Sequence, residues 1–281
     1  MKERKITAEM LAAFKRQLIV EDLAEGTIQK YERDLSAFAD WAEDKQITKE
    51  TTMAWRESLV SRGYAPATIN SMLAAINTFL KKMDWNDCCV KFLKIQRRMF
   101  RDQKKELTQE EYKRLIHTAE ADGQRRLALL IETIGATGIR VSEVKYITVE
   151  AVQRGRAEVS LKGKIRTILL SSKLCRKLLK YAQKNKIASG EIFLTRSGKG
   201  LSRKQIWAEM KRLCKAAGVE PSKVFPHNLR HLFATVFYRA TKDVVKLADV
   251  LGHSSIETTR IYLLSTGVEH IKLLERLGLI S

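Results

Sequence analysis

The chain is short of what builds secreted and membrane-bound proteins. Its four cysteines, Cys88, Cys89, Cys175 and Cys214, show no C-x-x-C spacing. That argues against a disulfide framework or a zinc finger and for small buried thiols. No apolar run is long enough to cross a bilayer, and the N-terminus, MKERKITAEM, lacks the apolar stretch of a signal peptide. A cytoplasmic protein with no membrane partner is expected. Acidic residues are also in deficit: 32 Asp and Glu stand against 52 Lys and Arg, a formal net charge of +20.

A surplus of that size in 281 residues favours a polyanionic partner, nucleic acid before any other. It is unevenly spread. Residues 1 to 100 carry 17 Lys and Arg against 14 Asp and Glu, whereas 101 to 281 carry 35 against 18. The length allows two domains, and the pattern divides accordingly. Helical apolar spacing recurs over 7–21, 27–44, 49–62 and 66–83, with Thr27 after Gly26 as a cap for the second helix and Pro66 in the first turn of the fourth. A compact bundle over 1–85 follows. Residues 86–107 turn basic, with Arg97, Arg98, Arg101, Lys104 and Lys105 close together, and read as a linker suited to lie along phosphates.

The second domain, 108–281, opens on Thr108-Gln109-Glu110-Glu111, a capping-box pattern. An apolar helix then breaks at Gly138, and 156–170 alternates as a β-hairpin around Lys162-Gly163. Helices are expected near 172–185 and 202–217, the latter presenting Arg203 and Lys204 as candidate phosphate contacts. The fold class expected is mainly α with a small β-sheet.

Chemistry concentrates between Pro226 and Tyr262, which hold three of the five histidines. His227, Arg230 and His231 stand at i, i+3 and i+4, so on a helix they share a face and aim cations and proton carriers at one spot. His253 follows Leu251-Gly252, a helix stop, and Tyr262 comes nine residues later. Any of these alone is ordinary core packing. With Arg140 and Glu143 in ATGIRVSE and Lys162 in the hairpin, the ordered set Arg140, Lys162, His227, Arg230, His253, Tyr262 describes an anion cradle with a phenol, and hence phosphoryl transfer. Glu143 and His231 are read as its supports.

This set resembles the catalytic constellation of the tyrosine recombinase, or phage integrase, family, through TGIRVSE, LKG, HNLRH, LGHSS and TTRIY in order. Lys164 lies two residues from Lys162; the family's lysine precedes a glycine between two strands, which points to Lys162. The likeness extends to TIQKYERDLSAF and PATINSMLAAINTFL, similar to the SAM-like core-binding domain that grips the far face of the DNA. It implies a mixed α/β catalytic domain and an Xer-like, two-domain enzyme with no arm-binding domain, since the chain opens on the bundle. It also implies double-stranded DNA as partner, a tetrameric synapse, and an exchange helix made by GVEHIKLLERLGLIS.

On this reading Tyr262 attacks a backbone phosphate to give a 3′-phosphotyrosine and a free 5′ hydroxyl, and a DNA hydroxyl later reverses the step, with no metal or cofactor. Arg140 and Arg230 clamp the non-bridging oxygens, Lys162 is the acid, His227 the base or positioning group, and His253 a donor to the phosphate. The outcome would be integration, excision or resolution, as in mobile elements. A type IB topoisomerase-like enzyme would share the chemistry without joining two sites. A non-catalytic DNA-binding regulator would explain the charge but not the six residue types. A metal hydrolase built on His227 and His231 fails because Asn228 stands where H-E-x-x-H needs glutamate.

Overall fold

The structure is a computed structural model that describes residues 4–43, 45–95, 105–161, 164–262 and 275–277. The chain divides into two compact units, Met1–Arg97 and Arg98–Ser281. The first unit contains α1 (Ala8–Val20), α2 (Glu25–Ala42), α3 (Lys49–Ser61) and α4 (Pro66–Lys82). Their apolar faces meet in one core that includes Phe14, Phe38, Trp55, Leu73 and Phe79. Thr7 and Thr48 cap α1 and α3 through their side chains, and Pro66 starts α4 where its missing N–H costs nothing.

Two local expectations shift here. α2 starts two residues before Thr27: the amides of Thr27 and Ile28 both donate to the carbonyl of Ala24, so the first turn closes there and Thr27 lies inside it. The segment 86–95, read as the start of a linker, is fastened to the bundle. Cys88 is fully buried, and Asn77 and Asn70 each bracket a backbone residue, donating to the carbonyls of Val90 and Leu93 and accepting from their amides. Paired asparagine bonds of this kind satisfy an irregular backbone as a strand ladder would.

The second unit runs α5 (Gln109–Ala121), α6 (Arg125–Thr137), a 3-10 helix Val141–Tyr146, α7 (Val149–Gln153), β1 (Arg156–Leu161), β2 (Lys164–Leu169), α8 (Ser172–Lys184), α9 (Arg203–Ala217), α10 (Pro226–Thr241), α11 (Val244–Leu251) and α12 (Ile256–Arg260), with a second 3-10 turn at Pro221–Lys223. The capping box at α5 forms in full between Thr108 and Glu111. α6 is central: Leu127, Leu130, Ile131 and Ile134 are buried, and each such side chain contributes about 1.5–3 kcal/mol on leaving water. α5 and α10 pack against it. β1 and β2 pair antiparallel from Arg156 opposite Leu169 to Leu161 opposite Lys164. Lys162 and Gly163 lie outside the described residues, as does most of the expected exchange helix. The fold is thus mainly helical with a two-stranded sheet. Among the described residues no helix is long and apolar enough to cross a membrane.

Candidate active site

Arg140 is delivered by a helix stop. α6 ends at Thr137, and Gly138 turns the chain with φ 64° and ψ 22°, a left-handed conformation that side chains resist. A Cβ at Gly138 would also lie 2.4 Å from Cδ1 of Phe233. Arg140 then caps the 3-10 helix Val141–Tyr146, where Glu143 folds back on it. One carboxylate oxygen accepts the Arg140 backbone N–H at 2.8 Å and the other accepts Nη1 at 2.9 Å. Glu143 is 1% exposed while the Arg140 side chain is 42% exposed, so one arm of the fork is tied and the rest faces outward.

Arg230 sits one turn into α10 and is 2% exposed. Its Nη1 donates to the carbonyl of Gly138 at 2.5 Å, and its Nη2 to the carbonyl of Leu251 at 2.9 Å. These carbonyls end α6 and α11, where the helix dipoles are negative, so two helix termini solvate a cation that water cannot reach. Burial lowers the Arg230 pKa and Arg140 adds to the effect, while the Tyr262 phenol and Glu143 act in the opposite sense.

His253 follows Gly252, the left-handed stop of α11. Its Nε2 lies 2.9 Å from Nη2 of Arg230, and its Nδ1 lies 2.9 Å from Oγ1 of Thr259. A guanidinium only donates, so Nε2 must accept and the ring proton belongs on Nδ1, donated to the threonine. Burial, then Arg230, Arg140 and Arg166, hold the His253 pKa down at about 4. The ring is therefore neutral near pH 7.

His227 is the second residue of α10, and its ring is exposed. Desolvation by the protein behind it, then Arg230 and Arg140, lower its pKa and favour the neutral form that can take a proton. Tyr262 is 2% exposed and packs with Ala234, Leu247 and Leu251. Its ring stacks on His253 at 6.1 Å and meets His231 edge-on at 5.0 Å. Arg140, His227, Arg230, His253 and Tyr262 thus gather in one site, with Glu143 and His231 against them.

The remaining candidates are placed elsewhere or lie outside the described residues. Arg203 and Lys204 are exposed in the first turn of α9. Lys105 is exposed, and its carbonyl accepts from Asn228 of α10. Lys162, Arg97, Arg98, Arg101 and Lys104 lie outside the described residues. Among the described residues no three of His, Cys, Asp and Glu gather as a metal cluster.

Two members of the site escaped the sequence reading. Thr259 is buried beneath His253, and nothing in TTRIY distinguishes it from its neighbour Thr258. Arg166 donates from Nη1 to both oxygens of Glu143, at 3.3 and 3.2 Å. A signal for it was present, since strand alternation puts Arg166 on the same side as the buried Ile168.

Residues 105–267 match the model of the phage integrase family, and residues 11–85 match that of the phage integrase N-terminal SAM-like domain. The chain belongs to the phage integrase family. Tyrosine recombinase XerA of Pyrococcus furiosus is 30% identical over 292 residues, covering 99% of each chain. Tyrosine recombinase XerD of Haemophilus influenzae is 27% identical over 267 residues, covering 87% of this chain and 89% of its own. Among solved structures, a lambda integrase dimer bound to a COC′ core site has the same fold, with a TM-score of 0.73 at 18% identity, covering 92% of this chain and 77% of the other. XerH bound to difH in a pre-cleavage complex gives a TM-score of 0.70 at 20% identity, covering 95% and 84%. This phage integrase family member is a tyrosine-type site-specific recombinase, and its activity is DNA recombination.

Proposed function

We propose that Tyr262 is the nucleophile of this recombinase and that Arg140, Lys162, His227, Arg230 and His253 carry the strand transfer. The single observation behind this reading is the arrangement of Arg230, which ties the ends of α6 and α11 together and brings His253 within 2.9 Å, against a phenol it senses electrostatically. In the step proposed, Oη of Tyr262 attacks phosphorus, its proton passes to neutral His227, and the 5′ oxygen leaves with a proton from Lys162. The phosphodiester becomes a 3′-phosphotyrosine, so bond energy is retained, and a 5′ hydroxyl from a second strand reverses the step.

Negative charge grows on the non-bridging oxygens as the phosphorane forms. The open face of the Arg140 fork and the Arg230 guanidinium are the groups that would stabilise it. His253 has no proton on Nε2 in this arrangement, so to donate to the phosphate it must exchange tautomers. When the phosphate draws Nη2 of Arg230 away, the Thr259 hydroxyl turns to donate to Nδ1 and Nε2 carries the proton outward. A threonine does both because its hydroxyl donates or accepts with equal ease.

DNA contact is proposed for the basic residues Arg97, Arg98, Arg101, Lys104, Lys105, Arg203 and Lys204. Arg203 and Lys204 stand at the positive end of the α9 dipole, a mismatch that a phosphate would relieve. In the reading we favour, the N-terminal bundle with the segment 86–95 fastened to it adds grip, and the apolar spacing beyond Tyr262 links protomers in a tetrameric synapse in the cytoplasm, on the nucleoid. A DNA whose cleaved fragment diffuses away tests the core of this. Wild-type protein accumulates as a covalent adduct, and Tyr262→Phe binds the same DNA and forms none. An adduct that persists in Tyr262→Phe, or cleavage without adduct, sinks the assignment.

A further inference from the structure

β2 turns Ile165 and Leu169 outward, at 78% and 76% exposed, and Arg166 inward, its side chain 11% exposed. Only one arm of its guanidinium is spent. Nη1 donates to Glu143, whereas Nε and Nη2 are buried with no hydrogen-bond partner. A buried charged donor without an acceptor is costly, and native proteins keep such groups where a ligand or a reaction repays the cost. The position is protected: a Cβ at Gly252 would fall 2.2 Å from Cδ of Arg166, so the glycine before His253 is what lets the arginine lie there.

Charge counting around it gives the reason. Among the described residues, Glu143 is the carboxylate that pairs with both Arg140 and Arg166, and no ion pair reaches Arg230. Two guanidinium groups therefore share one buried carboxylate and the third, Arg230, has none, so that three positive charges stand with one negative charge at a site where a phosphodiester must gain a second negative charge. Burial brings the Arg166 pKa down to about 10, and Glu143 opposes the shift, so the group stays charged at neutral pH. Without Arg166, Glu143 would be left to Arg140 alone and would compete more strongly with the scissile phosphate for it.

We infer that Arg166 is a positioning residue of strand cleavage: it shares Glu143 so that Arg140 is free to grip the non-bridging oxygens, and it adds a third cation behind them. The inference rests on the recombinase mechanism proposed above. It differs from a packing role of the hairpin in depending on the charge that the phosphate develops.

The experiment measures single-turnover adduct formation on a suicide DNA carrying either a normal phosphate or a methylphosphonate at the scissile position, the latter with one non-bridging oxygen replaced by methyl. Arg166→Gln, which keeps an amide donor for Glu143 and loses the charge, is expected to slow adduct formation on phosphate DNA by about 10- to 100-fold with DNA binding retained. On the methylphosphonate, where less charge develops, its deficit relative to wild type narrows to about threefold, and Arg166→Lys recovers most of the rate on phosphate. Equal deficits on both substrates mean packing alone and overturn the inference, as does Arg166→Gln at wild-type speed. If melting shows that Arg166→Gln does not fold, Arg166→Lys decides, and a rate as low as that of Glu143→Gln refutes the charge role. Wild-type protein that makes no adduct would instead refute the mechanism on which the inference stands.

Discussion

Arg230→Lys isolates what a fork does that a point charge does not. The guanidinium reaches Gly138 through Nη1 and Leu251 through Nη2 at once, and Nη2 also reaches His253. A lysine has one nitrogen in place of three, and it cannot span two carbonyls that different arms of the fork now hold. At least one charged hydrogen bond is lost in a site that is 2% exposed, a stability cost of about 1.5–3 kcal/mol. Lost transition-state stabilisation, of the size seen for one oxyanion donor, is about 2–4 kcal/mol, or roughly 30- to 900-fold in rate. The assay is adduct formation on a suicide DNA at saturating protein, beside equilibrium binding at fixed salt and urea unfolding. Binding should stay within about threefold because the net charge is unchanged. A variant that stays folded and cleaves at wild-type speed would refute the reasoning, and so would one whose rate falls only as far as its binding.

His253 has a folded pKa of about 4, below the ordinary histidine value of about 6.5, so the unfolded chain takes up a proton first as pH falls. Its contribution to stability is complete above about pH 6.5 and is lost as pH drops toward 4, about 1–2 kcal/mol by pH 5. Urea unfolding at pH 7.5 and pH 5 checks this, and His253→Gln should flatten the difference; an unchanged difference contradicts it. Nitrogen chemical shifts of the ring should report a proton on Nδ1 in the free protein, and Thr259→Val should slow cleavage more than Thr259→Ser. Gly138→Ala should destabilise the fold by about 2–4 kcal/mol, through the left-handed φ and the overlap with Phe233, and should slow cleavage because the Gly138 carbonyl anchors Arg230. DNA affinity should fall steeply with salt, since many phosphate contacts release counterions; a flat dependence would mean that the charge of +20 serves another end.

The sequence alone determined the helical content, the capping box at Thr108, the hairpin, the stops at Gly138 and Gly252, and the membership of Arg140, His227, Arg230, His253 and Tyr262 in one constellation. These are legible because each depends on neighbours within about one helical turn, or on residue types whose order the family keeps. Tertiary structure decided the rest. That Arg230 is buried between two helix ends, that His253 carries its proton on Nδ1, that Thr259 receives it, and that Arg166 shares Glu143 with Arg140 are consequences of packing α6, α10, α11 and β2 against one another. Gly138 and Arg230 are 92 residues apart, and Glu143 and Arg166 are 23 apart. Local propensity carries no information over those separations. The charge state and hydrogen-bond direction of a buried group are set by which partners the fold brings to it, and periodicity does not name them.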